Sequence, residues 1–364
     1  MAAKTGLVLL AASFMQLSDS EGPFTHSLEC ENVETIESHG TLFYACEEDL
    51  TPRVEETIQL LGRVKEYEQD VLGMHATGNY RQYASQSHEA SAPAISYRLY
   101  VAPKFKLGLA PEFIAIPERR EYRALVEKPV MLYSNPGPLV DDLADEELFF
   151  RENGYDTYRR VMTDFSSPGE TIQGANITPG FVGSSPEWQI ITEIHEGYHY
   201  NDRLFWGHGD RFEGLKESIV TMEGYAGAID FIKLEYGEGS ETYAKTLKKL
   251  ADWSEFAYLM NKSYAILSNL YVQDITSGEM ESRKQEILAG LNAQASALDY
   301  RPEAPLNNAV IEGYIPYTRL FPIVYRVYQS HPDIREFAEI MRAVPDAEQE
   351  GIDYLEQQAG GVLQ

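Results

Sequence analysis

The chain has 364 residues, 43% of them hydrophobic, which is enough to bury one large core or two modest ones. Its formal charge of −27, from 57 acidic against 30 basic side chains, gives a surface that repels nucleic-acid backbones and anionic lipid heads. Nucleic-acid and membrane-surface roles are therefore not expected, and beyond that the acidity reads as a solvated surface.

Residues 1–20, MAAKTGLVLLAASFMQLSDS, read as a secretory signal. Lys4 is the positive lead, Gly6 to Met15 form a short apolar core, and Ser18 and Ser20 are the small residues before a cleavage point. The apolar run is too short to span a bilayer, so the expectation is a secreted or periplasmic protein without a membrane anchor. The two cysteines, Cys30 and Cys46, flank two short strands around Ser38-His39-Gly40. A hairpin there would bring the sulfurs together, and export would permit a disulfide.

Thr51-Pro52 opens a helix in which Val54, Ile58, Leu61, Val64, Tyr67 and Val71 recur at helical spacing, ending near Gly73. Residues 76–93 are polar and read as a loop. Alternation over 95–103 and short apolar runs at 113–117 and 129–134 predict a small sheet. Residues 141–164 read as a helix, and 174–183 as a strand and turn. Beyond 205, helical periodicity covers 212–236, 240–276, 279–298 and 317–329, and His331-Pro332-Asp333 reads as the start of the last helix. The fold expected is α+β: an α+β subdomain over 21–205, a helical subdomain over 206–364, and a cleft between them.

The chemistry concentrates in ITEIHEGYHYNDRLF, residues 191–205. Ser185-Pro186-Glu187 starts a helix with a cap, a Pro and an acid at its positive end. On that helix His195 and His199 are one turn apart, about 40° around the axis, so both imidazoles can reach one ion. Glu196, about 100° from His195, can reach a water on that ion without coordinating it, which suits a general base. With eight histidines, chance would place such a pattern in roughly one or two per hundred such chains, so the spacing is informative.

A catalytic zinc needs a third protein ligand. Asp202 and Phe205 stand where a metzincin would have Gly and His, which excludes that class. In LKESIVTMEGYAGAID, 215–230, Glu223 is the expected ligand, because Gly224, Ala226 and Gly227 would let its helix approach the histidine helix closely. Glu217, Asp230 and His208 are the alternatives, Glu217 reading more readily as a solvated charge beside Lys216. Asp202 and Glu193 are candidates to orient the imidazoles from behind. Tyr317 and Tyr314 are candidate donors to a developing oxyanion, and Arg319 could pair with a substrate carboxylate. The remaining histidines, 26, 39, 75, 88 and 331, read as structural.

His195-Glu196-x-x-His199 followed by Glu223-Gly224-Tyr225-Ala226 resembles the gluzincin metallopeptidases over Ser185 to Asp230. The 24-residue step to Glu223 and the segment Pro316-Tyr317-Thr318-Arg319 also look like carboxydipeptidases of the angiotensin-converting type. The resemblance implies a zincin-like fold, zinc held by two histidines and a glutamate, and the motif's own Glu196 as general base. A zinc-dependent peptidase acting on a peptide or protein is the function expected. A catalytically silent zincin-like domain that binds a partner, and a zinc hydrolase of non-peptide amides, are the alternatives.

Overall fold

The structure, a computed structural model, describes residues 32–83, 96–108, 147–162, 176–209, 211–300 and 304–360, together with Cys30, Pro302 and three short strands between 112 and 134. The signal expected over 1–20 lies outside the described residues, as do His26, His88 and most of the loop expected over 76–93.

The chain is α+β. Strands β1 (Val33–Ser38) and β2 (Thr41–Cys46) pair antiparallel from Val33 opposite Cys46 to Ser38 opposite Thr41. His39 and Gly40 make the turn, both at positive φ, as a two-residue hairpin with right-handed twist requires. Cys30 and Cys46 are disulfide-bonded with their Cα atoms 6.0 Å apart, tying the chain before β1 to the end of β2.

Helix α1 (Pro52–Asp70) begins where the cap and proline predict, with the Thr51 side chain accepting from the Val54 N–H. It serves two cores. Val54, Ile58 and Leu61 pack with Phe43, Tyr80, Ile177 and Phe181 in a small cluster under the hairpin, while Leu60, Val64 and Tyr67 enter the main core. Strand β3 (Ser96–Pro103) is central to a three-stranded sheet, between β6 (Leu132–Ser134) and β7 (Tyr155–Met162). Strands β4 (Glu112–Ala115) and β5 (Arg123–Val126) form a separate antiparallel pair; β5 has no counterpart among the expected elements.

The structure corrects two expectations before residue 184. The helix expected over 141–164 is helical among described residues only at 147–152; Gly154, at φ +88°, ends it, and Tyr155–Met162 is a strand paired with β3 along all eight residues. Tyr155, Thr157, Tyr158 and Val161 are strand formers, and pairing with a neighbouring strand outweighs weak helical spacing. The strand and turn expected over 174–183 is instead a bridge at Ile177 followed by the short helix α2 (Pro179–Gly183), capped by the Thr178 side chain.

From there the chain is helical: α3 (Pro186–Asn201), a π-helical turn at Asp202–Trp206, α4 (Glu213–Tyr236), α5 (Glu241–Tyr271), α6 (Ser277–Ser296), α7 (Asn308–Thr318), α8 (Phe321–Ser330), α9 (Ile334–Arg342) and α10 (Glu348–Gln358). Asp333 caps α9, but α10 follows it, so the segment at His331 does not begin the last helix. The main core draws on α1, β3, β7 and every helix from α3 to α10. Residue 205 therefore marks a change in secondary structure and no break in packing.

A buried ion pair fixes the floor under α3. Lys65 of α1 donates to Glu193 of α3, their side chains 3% and 0% exposed, and Glu68 lies alongside. Removing one partner of such a pair costs about 3–5 kcal/mol, since it strands a buried charge. Glu193 is thereby committed to α1 and does not orient an imidazole.

Candidate metal centre

Helix α3 forms where the sequence suggests, though Ser185 occupies the cap position without its hydroxyl capping; Pro186 and Glu187 complete the first turn. Ile190, Ile191, Ile194 and Tyr198 give it a buried face, and His195 and His199 lie beside that stripe. The π turn and Gly207, left-handed at φ +83°, then reverse the chain into α4, which returns alongside α3.

The reversal places Glu217, four residues into α4, against His199 near the end of α3. The two imidazole Nε2 atoms are 3.1 Å apart, and Glu217 Oε2 lies 3.3 Å from His199 Nε2 and 3.9 Å from His195 Nε2. A zinc bound at about 2.0–2.1 Å from each atom accommodates donor separations up to about 4.1 Å, so one ion can touch all three. Glu217 Oε2 is sealed from solvent and has the His199 ring as its near partner, so its charge is directed at the imidazoles. Among the described residues this trio is the one group of His, Cys, Asp and Glu side chains close enough to hold a metal. The histidines keep 16% and 20% of their side-chain surface open and Glu217 keeps 10%, so the group is largely buried with the imidazoles partly exposed.

The carboxylate that the structure brings to the two imidazoles is thus Glu217 and not Glu223. Glu223 is six residues later, about 9 Å further along α4 and about 120° around it. It is 2% exposed, near Asp202, Arg211 and Arg342; burial, with Asp202's charge added, pushes its carboxyl well above the usual range. The close approach inferred from the small residues is present. A Cβ on Gly224 would meet the Ile191 carbonyl and His195, and one on Gly227 would meet Ile194. Gly224 is seven residues from Glu217, nearly two full turns, so it shares the face of Glu217 and not that of Glu223.

Charges at the metal-free site follow from this packing. Burial, reinforced by His199, holds the His195 ring down to about 3, so it is neutral and ready to coordinate; a hydrogen bond to the Val220 backbone orients it. Burial also disfavours a charged His199, but the adjacent Glu217 carboxylate outweighs it and lifts the ring to about 9. Burial likewise opposes charge on Glu217, and the His199 charge prevails, holding the carboxyl at about 2. At pH 7 the metal-free site therefore contains one proton, on His199, that a cation must displace. Titration calorimetry in two buffers of different ionisation enthalpy should report about one proton released per zinc bound at pH 7, with affinity rising about tenfold per pH unit up to about pH 9. Uptake without proton release would contradict the arrangement.

The other candidates separate cleanly. Glu196 is half-buried on α3, and its charge is felt at His199. Asp202 accepts from Arg211 Nη1 at 3.3 Å, which anchors the π turn. Asp230 accepts from the Tyr67 hydroxyl at 2.8 Å, and His208 bridges Asp346 and the Arg342 carbonyl, so both have structural partners. Tyr314 is 4% exposed, packed between Phe256, with ring centres 4.9 Å apart, and Tyr158; it is a core residue and no longer a candidate donor. Tyr317 is half-buried at the end of α7, where Ser218, the neighbour of Glu217, donates to the Pro316 and Tyr317 carbonyls at 3.3 and 3.5 Å. Arg319 pairs with Glu348 at the surface. His39, His75 and His331 also have structural contacts: Glu66, the Phe205 ring and Glu336.

No protein-family model, curated protein or solved structure matches this chain.

Proposed function

We propose that the protein is a zinc-dependent metallohydrolase, and specifically a peptidase of gluzincin type with a zincin-like catalytic core. The observation that carries this reading is the convergence of His195, His199 and Glu217 on one point, with Glu196 next to the first ligand in sequence. Two neutral nitrogens and one carboxylate are the donor set of a catalytic zinc that keeps a fourth position open.

A bound zinc ion would supply the Lewis acidity that makes water a nucleophile near neutral pH. His195, oriented by the Val220 backbone, and His199, once deprotonated, would hold the ion from α3, and Glu217 would hold it from α4. Glu196 takes the proton of the attacking water and passes it to the departing amine. Tyr317, whose backbone is tied to α4 beside Glu217, is the candidate to donate a hydrogen bond to the substrate oxygen as charge develops there.

Export fits the same picture. The chain begins with a signal-like stretch, and Cys30–Cys46 is the kind of bond that persists in oxidising compartments. Among the described residues no helix is long and apolar enough to cross a membrane. The reading is tested by measuring zinc in the purified protein and cleavage of a mixed peptide pool. About one zinc per chain and chelator-sensitive cleavage are expected; zinc without cleavage would favour a partner-binding domain, and neither would end the proposal.

A further inference from the structure

We infer that Gly224 is a positioning residue for the metal centre: its missing side chain sets the distance between α3 and α4 at which His195, His199 and Glu217 can share one ion. This rests on the metal reading above and adds a residue that touches neither metal nor substrate.

A Cβ built on Gly224 would stand 2.9 Å from the Ile191 carbonyl oxygen, 3.0 Å from His195 Cβ and 3.4 Å from His195 Cα. Two of those three atoms are backbone, so no rotamer change relieves the clash. Ordinary contact, at 3.4 Å from the Ile191 oxygen, requires α4 to move off α3 by about 0.5 Å, whereas metal–ligand distances tolerate about ±0.2 Å.

The displacement would be transmitted to the donors. Glu217 sits two turns from Gly224 on nearly the same face, and the Val220 backbone that orients His195 lies between them. Moving α4 away thus withdraws one ligand and the support of a second. Gly227 provides the internal comparison. Its Cβ would meet Ile194 Cγ2 at 3.0 Å and Cδ1 at 3.2 Å, flexible side-chain atoms, one turn further from the imidazoles.

The test compares zinc dissociation constants, by chelator competition, for the wild type, Gly224→Ala and Gly227→Ala, with circular dichroism and thermal unfolding of each metal-free protein. Gly224→Ala should stay folded and bind zinc roughly 10–100-fold more weakly, the range seen when support behind a ligand is lost. Gly227→Ala should bind within a few-fold of wild type. Unchanged affinity in Gly224→Ala, equal loss in both variants, or a Gly224→Ala chain that fails to fold would each overturn the assignment. A wild type that does not bind zinc would instead sink the metal reading itself.

Discussion

Glu217→Ala should abolish stable zinc binding, while Glu223→Ala should leave the metal in place. Removing the carboxylate at 217 takes away the one donor that α4 contributes, and the two imidazoles alone would compete poorly for the ion. The affinity loss should exceed the roughly 100-fold typical of changes behind a ligand. Glu223 has a different environment, buried with Asp202, Arg211 and Arg342. Its truncation should lower stability by about 1–3 kcal/mol, because buried polar neighbours lose a partner, with zinc content unchanged. Metal analysis and thermal unfolding of the two variants decide the matter. Zinc lost from Glu223→Ala and kept by Glu217→Ala would refute the assignment of Glu217 as the third ligand.

The second expected result concerns Glu196→Gln. The amide keeps the size of the side chain and cannot take a proton, so zinc should remain at about one per chain. Peptide cleavage should fall by about 10²–10⁴-fold, the usual contribution of a positioned general base. The pairing of readouts matters, since a drop in both would mean that Glu196 supports the ligands. Full activity in Glu196→Gln would remove it from the mechanism.

Much of the site is legible in the sequence because helix geometry is rigid. The spacing of His195, Glu196 and His199 dictates one shared face once the segment is helical, and the proline start at 186 makes it helical. The third ligand is harder, because it depends on how a second helix docks. The small residues 224, 226 and 227 correctly indicate a close approach, but they point to the carboxylate beside them in sequence, when the one that meets the imidazoles is on the same face.

The antiparallel return of the chain accounts for the difference. His199 stands just before the chain reverses and Glu217 just after it, so they meet across the turn. Glu223 is carried past the imidazoles by another turn and a half. Lys216 is also misleading, since an acid beside a lysine looks solvated, yet Lys216 pairs with Glu213 and leaves Glu217 to face inward. The strand at 155–162 is hidden for a related reason: its partner β3 lies more than fifty residues earlier, and no local pattern announces it.

The compact spacing of the donors has a consequence for how the molecule assembles. His195, His199 and Glu217 fall within one helical hairpin, whose two arms are joined by the short stretch from 202 to 212. Closing so small a loop costs little chain entropy, and contacts of low sequence separation form early. An ion captured by this hairpin would act as a template during folding, committing the arms to their register before the distant sheet and the C-terminal helices are in place.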